Sequence, residues 1–222
     1  MPDRRHPLAG LRLSSLLWVG LALALAGCAS RPINPPLMAA DRGYGYRTEG
    51  QATRGAASDT MVVLAFSGGG TRAAAFSFGV LEALRDTEVV VNGRRTRLLD
   101  EIDVITGVSG GSFTALAYGL YGDELFASYE QRFLKRDVQG QIIARAFNPG
   151  DWGKLGSSHW GRSELAADLY DEILFDGATF ADLGRAKGPL ILASATDVST
   201  GARLVFDQDV FDRITADYQA FA

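Results

Sequence analysis

The sequence predicts an α/β domain in which helices flank a mainly parallel central sheet. The first observation is a continuous apolar run at residues 61–66, typical of a strand buried on both faces, followed by three glycines and an alanine-rich helix. The second is a repeat of that order, with a short strand at 101–106, a glycine-rich turn and a helix at 112–121. The third is length, because the 162 residues from Met61 onward are enough for one α/β core.

Residues 1–27 have the composition of a bacterial signal peptide. Three arginines precede residues 13–26, a mostly apolar stretch that is too short to span a bilayer comfortably. The stretch ends in Leu-Ala-Gly-Cys at Cys28, which resembles the lipobox of bacterial lipoproteins. That resemblance implies cleavage before Cys28 and lipidation of its side chain. The alternative is an ordinary secretory signal next to a stray cysteine.

Lipid on Cys28 would place the chain on a membrane, because more than one acyl chain gives lasting anchorage. Residue 29 is alanine and not aspartate, which by analogy with lipoprotein sorting predicts the outer membrane, facing the periplasm. Cys28 is the only cysteine, so an intrachain disulfide is excluded.

Residues 28–59 are predicted to be a flexible, lipid-anchored linker, and residues 60–222 the folded domain. The linker is rich in proline, glycine and polar residues, and no helical or strand period persists in it. After removal of residues 1–27 the chain has 19 basic and 25 acidic residues, a net charge of −6. A mildly acidic domain argues against nucleic acid as a partner.

The first glycine turn is Gly68-Gly69-Gly70-Thr71-Arg72, between the predicted strand at 61–66 and a helix at about 71–85. A glycine turn that opens a helix presents free N–H groups and the positive end of the helix dipole. Such a turn can bind a phosphate or stabilise an oxyanion. It is not a Walker loop, because no Gly-Lys-Ser/Thr follows, and alanine stands where a dinucleotide-binding turn needs its last glycine.

The second turn, Gly107-Val108-Ser109-Gly110-Gly111, has the form G-x-S-x-G. This motif places a serine on a tight strand-to-helix turn, with its hydroxyl projecting above the sheet. The flanking glycines permit a strained backbone and close approach of a substrate. The alternative is a glycine-rich turn with an incidental serine, and the strand before it and helix after it favour the nucleophile.

The two turns, in this order, resemble those of the patatin-like phospholipase family. The family's oxyanion loop G-G-G-x-[RK] is matched at 68–72, its nucleophile motif at 107–111, and its "pl.i.atd..tG" strand and turn at 189–201. The resemblance covers residues 61 to about 206. It implies a three-layer α/β fold, here incomplete at its C-terminus, and hydrolysis of lipid acyl esters by a Ser-Asp dyad. No metal or organic cofactor is implied.

The resemblance also implies a role for each matched residue. Ser109 is the nucleophile, and Arg72 either fixes the loop or attracts a phosphate head group. The backbone N–H groups that hold the oxyanion come from four glycines: Gly68, Gly69, Gly70 and Gly110.

The catalytic base is harder to assign. His6 lies in the predicted signal peptide and His159 in a polar loop, so an aspartate that accepts the serine proton directly is simpler than a Ser-His-Asp triad. In the family this aspartate lies in a D-G-[GA] motif downstream of the segment matched at 189–201. We expect the chain to be truncated before that motif. Its one Asp-Gly-Ala, at Asp176, precedes the segment and reads as a glycine-capped helix end, which leaves Asp176 as the second candidate.

Four further elements are expected from apolar spacing. These are a helix at 123–136, a helix capped by Ser163 and running to about 174, a strand at 203–206 paired with 190–195, and a possible helix at 209–221.

The sequence therefore predicts a lipid acyl hydrolase, of the phospholipase A or esterase type, that acts on membrane lipid or another acyl ester. Two alternatives stay open. One is a non-catalytic lipoprotein that binds lipid or a partner, since the dyad aspartate is not found. The other is a nucleotide-binding domain that uses the first glycine turn.

Overall fold

The computed structural model describes residues 45–48, 60–148 and 161–213. The chain divides into two compact units. The described part of the larger unit comprises residues 45–48, 60–136 and 171–213, and that of the smaller unit residues 137–148 and 161–170. The predicted signal peptide, Cys28, His159 and most of the predicted linker lie outside the described residues.

A four-stranded sheet forms the centre of the larger unit. Its strands lie in the order β1 (Val63–Phe66), β4 (Val104–Val108), β5 (Leu190–Thr196) and β6 (Arg203–Val205). The first three are parallel and β6 is antiparallel to β5. The predicted α/β class with a mainly parallel sheet is confirmed, and so is the pairing of the last two strands.

Two helices follow the glycine turns and pack against each other, and the second of them also packs against the sheet. They are α1 (Gly70–Asp86) and α2 (Gly110–Tyr121). The buried Thr114 hydroxyl lies 2.9 Å from the carbonyl oxygen of Ala74 and 2.8 Å from the Tyr129 hydroxyl. These bonds join the helices to the segment after α2, and burial raises the pKa of Tyr129.

The sequence analysis did not identify a hairpin between the first two parallel strands. It consists of β2 (Glu88–Val91) and β3 (Arg94–Arg97), which pair antiparallel. Asn92 and Gly93 form its turn with φ angles of 52° and 77°. Asn-Gly between two strands is a strong hairpin signal, because both residues adopt positive φ readily. A short 3₁₀ helix, Leu98–Glu101, then leads into β4.

The sequence predicts one regular helix at 123–136, and the structure instead has three short helical segments of different types. The structure has a 3₁₀ turn at Gly122–Glu124, α3 at Leu125–Tyr129 and a π-helical turn at Glu130–Leu134. A second π-helical turn occupies Asp171–Phe175, before α6 (Phe180–Arg185). Both π-helical turns contribute an aromatic ring that stacks on Phe113: the ring centroids of Phe133 and Phe175 lie 5.4 and 6.0 Å from it.

In the smaller unit, α4 (Val138–Ala146) and α5 (Arg162–Tyr170) contact each other. The prediction that Ser163 caps the second of these helices is wrong, because the helix begins at Arg162 and Ser163 lies within its first turn. The N–H of Gly161 instead donates to the carboxylate of Glu164 at 2.8 Å. The glutamate thereby satisfies one of the free donors at the helix start.

Residues 45–48 pack onto the larger unit, although sequence analysis placed them in the flexible linker. Tyr46 is 4% exposed, and its hydroxyl accepts a hydrogen bond of 2.6 Å from the N–H of Ile191. Arg47 forms ion pairs with Asp209 and Asp212 of α7 (Gln208–Arg213). For the rest of 28–59 the linker stays a prediction. No helix in the described part of the chain is long and apolar enough to cross a membrane.

Candidate active site

The two glycine turns lie next to each other because β1 and β4 are parallel neighbours. Phe66, the last residue of β1, pairs with Gly107, the first residue of the G-x-S-x-G motif. Parallel strands end at the same edge of a sheet, so the turn after each strand opens onto that edge. The site predicted from two segments about forty residues apart is therefore one place in the fold.

The glycines of the two turns are required by close packing. A Cβ atom on Gly110 would overlap with the carbonyl oxygen of Gly70. A Cβ atom on Gly111 would lie 2.7 Å from the Cβ of Phe66, and one on Gly107 would lie 2.7 Å from the Cα of Ser112. No side chain fits at these distances, so the motif's glycines bring the two backbones into direct contact.

Ser109 sits at the sharp point between β4 and α2. Its φ and ψ are 50° and −120°, a conformation that non-glycine residues rarely adopt. The residue is exposed, and its hydroxyl does not cap the helix or bond any other described residue. A strained serine with a free hydroxyl is the geometry that the G-x-S-x-G motif predicts for a nucleophile.

Two helix N-termini meet beside this hydroxyl. The helix α1 begins at Gly70 with Gly69 as its N-cap, and α2 begins at Gly110 with Ser109 as its N-cap. The first N–H groups of a helix have no acceptor within the helix, and the helix dipole makes that end positive. Gly69 and Gly70 have φ angles of 144° and 64°, which suit glycine and turn the backbone at the start of α1. The arrangement can stabilise a negative oxygen next to Ser109.

The predicted loop residues Gly68 and Arg72 lie on either side of this turn. A Cβ atom on Gly68 would be 3.3 Å from the Cβ of Ser109, so the first glycine turn borders the serine directly. Arg72 is exposed in the first turn of α1, and no described residue forms an ion pair with it. Its guanidinium is therefore available to an anionic group at this edge.

The sequence analysis gave no role to Arg203, which lies beneath the site on β6. Its guanidinium donates to the hydroxyls of Ser194 on β5 and Thr106 on β4, at 2.8 and 3.2 Å. The side chain thus joins three strands just before two of them end. No local sequence signal identifies it, because its partners are 9 and 97 positions away.

Asp197 forms a tight turn after β5. Its carboxylate accepts hydrogen bonds from the N–H and hydroxyl of Ser199 and from the hydroxyl of Thr200, at 2.6 to 2.8 Å. The Ser199 hydroxyl first, and then the other donors, lower the pKa of Asp197 to about 2. A carboxylate with so many donors is a weak base, so Asp197 shapes the turn.

Asp176 lies at a helix end, as its sequence context indicates. Asp176 and Gly177 have φ angles of 52° and 74°, and their N–H groups donate to the backbone and side chain of Asp171. Its carboxylate is exposed and forms no hydrogen bond with Ser109. Its role as a base stays a prediction without structural support.

The residues that the structure describes contain no group of three or more His, Cys, Asp or Glu side chains placed to hold a metal ion. The site that they form consists of one serine, backbone donors and nearby arginines.

Comparison with known proteins gives one family and one solved structure. The solved structure is human GIVD cytosolic phospholipase A2 in complex with methyl γ-linolenyl fluorophosphonate and terbium chloride, with 18% identity and a TM-score of 0.41. The match covers 86% of this chain and 26% of that one, so the chain spans about a quarter of its length. No curated protein sequence matches.

The family comparison covers the larger part of the chain. The model of the family described as "Patatin: Patatin-like phospholipase" matches residues 64–217 of the 222. That range contains both glycine turns, Ser109 and the Asp197 turn. The chain therefore belongs to the patatin-like phospholipase family.

Proposed function

We propose that this protein is a lipid acyl hydrolase in which Ser109 attacks the carbonyl carbon of an acyl ester. The observation that carries the proposal is the strained, unbonded serine at the meeting point of two helix N-termini. Its hydroxyl is exposed to a substrate, and donors for the developing charge lie on the adjoining backbone. Membership of the patatin-like phospholipase family supports an ester of a lipid as the substrate class.

The proposed reaction has two steps. Ser109 gives up its proton and bonds to the acyl carbonyl carbon, and the carbonyl oxygen becomes an oxyanion held by N–H groups of Gly69, Gly70 and Gly110. Each such donor lowers the barrier by about 3 kcal/mol in well-studied hydrolases. The alcohol then leaves, and water releases the fatty acid from the acyl-serine.

We place the base that accepts the proton of Ser109 outside the residues that the structure describes. Asp197 is held by three hydrogen-bond donors, and Asp176 forms a helix end without a bond to the serine. An aspartate in a D-G-[GA] motif, as the family resemblance implies, would complete a Ser-Asp dyad. The proposal needs no histidine and no metal.

We also propose that the protein is a lipoprotein anchored through Cys28 at the outer membrane, facing the periplasm. The apolar stretch at 13–26 followed by Leu-Ala-Gly-Cys supports the anchor. Mass spectrometry of the protein from its native membrane tests it. A diacylglycerol-modified N-terminal cysteine is the expected result, and an unmodified Cys28 contradicts it.

The catalytic proposal is tested by hydrolysis of a phospholipid and of a soluble short-chain ester by the full-length protein. Ser109→Ala is expected to lower both rates by at least about a thousandfold, because the nucleophile is lost. Ser112→Ala is the matched control, since Ser112 lies one helical turn away with a buried, unbonded hydroxyl. Retained activity in Ser109→Ala would contradict the assignment.

One observation favours a second candidate, a non-catalytic protein that binds lipid on this scaffold. Among the described residues no carboxylate or imidazole bonds Ser109. In that case the protein would bind phospholipid vesicles but hydrolyse neither substrate. The same assay therefore separates the two candidates.

A further inference from the structure

We infer that the lipid anchor is fastened to the folded domain at residues 45–48, which we call the strap, and not first at the start of β1. The inference rests on the proposed anchor at Cys28 and deepens it, because the strap divides the predicted linker and shortens the tether between lipid and fold. Three kinds of contact between the strap and the larger unit carry it: a buried hydroxyl, a set of charges and a close backbone approach.

The first contact is the hydroxyl of Tyr46, which bonds the sheet at the start of β5. The N–H of Leu190 donates to Asp103, on the β4 side, so the N–H of Ile191 points to the other side of the strand. There β6 pairs with β5 from Ser194 onward, which leaves Ile191 before the paired region. The Tyr46 hydroxyl accepts this N–H at 2.6 Å, and Ile191 is 0% exposed. A buried N–H needs an acceptor, so the strap completes the hydrogen bonding of the sheet.

The second contact is a set of charges between the strap and α7. The guanidinium of Arg47 bonds the carboxylates of Asp209 and Asp212 at 2.7 and 2.6 Å. The three side chains are between 13% and 27% exposed, so water screens these pairs less than it screens fully exposed ones. Thr48 adds hydrogen bonds of 3.2 Å from its N–H to Asp209 and from its hydroxyl to Asp207. Three carboxylates thus converge on two residues of the strap.

The third contact is between backbones. The carbonyl of Tyr46 accepts a hydrogen bond of 2.8 Å from the N–H of Gln208, the first residue of α7. Gly45 lies so close to the same residue that an added Cβ atom would overlap with the Gln208 side chain. The ring of Tyr46 also lies 5.7 Å, between centroids, from that of Phe180 in α6. The strap therefore joins three elements that are distant from it in sequence.

The position of the strap sets the length of the tether. Gly45 is 17 positions after Cys28, whereas Val63, where β1 starts, is 35 positions after it. A flexible chain of these lengths has a root-mean-square span of about 23 Å with the strap in place and about 32 Å without it. The fully extended limits are about 56 Å and about 115 Å. The strap thus halves the greatest distance between the anchor and its point of attachment.

The strap also fixes the end of the sheet from which the tether leaves. Ile191, the residue that Tyr46 bonds, is the second residue of β5 and pairs with Ile105 of β4. Ser109 is four residues further along β4, which is about 13 Å in an extended strand. The tether therefore leaves near the amino ends of the parallel strands, whereas the nucleophile follows a carboxyl end.

The test measures how far residue 28 ranges from the domain. In the mature full-length protein prepared without lipid, one nitroxide label is attached to Cys28, the only cysteine, and a second to Val198→Cys, at a position that is 100% exposed. Pulsed electron paramagnetic resonance gives the distribution of distances between the labels. The double variant Tyr46→Ala with Arg47→Glu is expected to widen the distribution about 1.4-fold, the ratio for chains of the two tether lengths.

Charge reversal separates release of the strap from a general loss of the fold. Arg47→Glu alone is expected to widen the distribution, and Asp212→Arg in the same protein is expected to narrow it again, because an ion pair of opposite polarity forms. Arg213→Glu is the control, since Arg213 is exposed on α7 and forms no ion pair with a described residue. The inference is overturned if neither strap variant widens the distribution, or if Arg213→Glu widens it as much.

Hydrolysis by the lipidated protein on vesicles gives a second readout. The effective concentration of a tethered group falls with about the −3/2 power of tether length. Arg47→Glu is therefore expected to lower turnover of phospholipid in the anchoring vesicle about threefold relative to turnover of a soluble ester. An unchanged ratio would contradict the inference. The measured distances depend on neither hydrolysis nor lipidation, so the strap and the proposed function can fail separately.

Discussion

The turns after β4 and β5 follow neighbouring parallel strands, but they differ in whether the polar side chain is hydrogen-bonded and in which residue has the positive φ. After β4, Ser109 has a strained backbone, with φ at 50°, and a hydroxyl without a bonding partner. After β5, Asp197 bonds Ser199 and Thr200, and the positive φ of 72° falls on Gly201, which tolerates it.

Under the proposed function, the difference separates a reactive turn from a structural one. A side chain that stabilises its own turn has used its hydrogen bonds, as the lowered pKa of Asp197 shows. A side chain that is to react must remain unbonded, so other parts of the structure must hold its backbone. At Ser109 this is done by the backbone contact between Gly110 and Gly70 and by the strands on either side.

Gly110→Ala should have the largest effect, because it breaks the contact that holds the reactive turn. The added methyl group would overlap with the carbonyl of Gly70 and force the two turns apart. We expect the free energy of unfolding to fall by about 3 kcal/mol and hydrolysis to be lost. Denaturant unfolding and an ester assay measure the two effects.

Gly201→Ala is the control for that substitution in the structural turn. Nothing lies within 4 Å of the position of its added methyl group, so only the positive φ opposes it. A cost of about 1 kcal/mol and retained hydrolysis are expected. Equal costs at the two glycines would contradict the difference between the turns.

Ser109→Gly should raise stability while it abolishes hydrolysis. Glycine adopts a φ of 50° without the strain that serine bears there, and that strain is of order 1–3 kcal/mol. After allowance for the greater freedom of glycine in the unfolded chain, we expect a net gain of about 1 kcal/mol. Thermal unfolding of Ser109→Gly beside Ser109→Ala isolates the backbone strain, since alanine keeps it. A Ser109→Gly protein less stable than Ser109→Ala would show that the turn is not strained.

Asp197→Ala should lower the melting temperature and leave hydrolysis intact, the opposite of what is expected for Ser109→Gly. The pKa of Asp197 is lowered in the folded state to about 2, so the carboxylate stabilises the fold fully above its unfolded pKa of about 3.9. That contribution is lost as the pH falls toward about 2. The melting temperatures of the two proteins should therefore differ at neutral pH and converge between about pH 4 and pH 2. A difference that stays constant through this range would contradict the role of the charge.

Arg203→Leu should have the smallest effect. Its hydrogen bonds to Ser194 and Thr106 tie β5 to β4 just before the two turns, but the residue is exposed. A cost within about 1 kcal/mol is expected from the loss of exposed hydrogen bonds. Thermal unfolding checks it, with Lys187→Leu as a control at an exposed residue that forms no ion pair with a described residue. A cost several times larger would mean that this link holds both turns.

Local signals in the sequence were enough to predict the strands of the sheet and the two glycine turns that meet at its edge. Apolar runs followed by glycines marked β1 and β4, and parallel strands that are neighbours must bring their turns together. The hairpin of β2 and β3 has a local signal of the same kind, Asn92-Gly93, although the sequence analysis did not predict it.

The features that were not predicted depend on contacts distant in sequence. The Tyr46 hydroxyl bonds a backbone group 145 positions away, and Arg203 bonds Thr106 across 97. Each π-helical turn contributes a ring that stacks on Phe113, a contact that helical periodicity does not reveal. The strain at Ser109 follows from the motif, whereas its unbonded hydroxyl follows from the packing around it.

The central claim is that Ser109 is an activated nucleophile, and covalent labelling tests it most directly. The full-length protein is treated with a fluorophosphonate probe and its intact mass is measured. The account predicts one adduct, absent in Ser109→Ala and retained in Ser112→Ala and Asp176→Asn. An adduct that persists in Ser109→Ala, or no adduct in the unmodified protein, would contradict it.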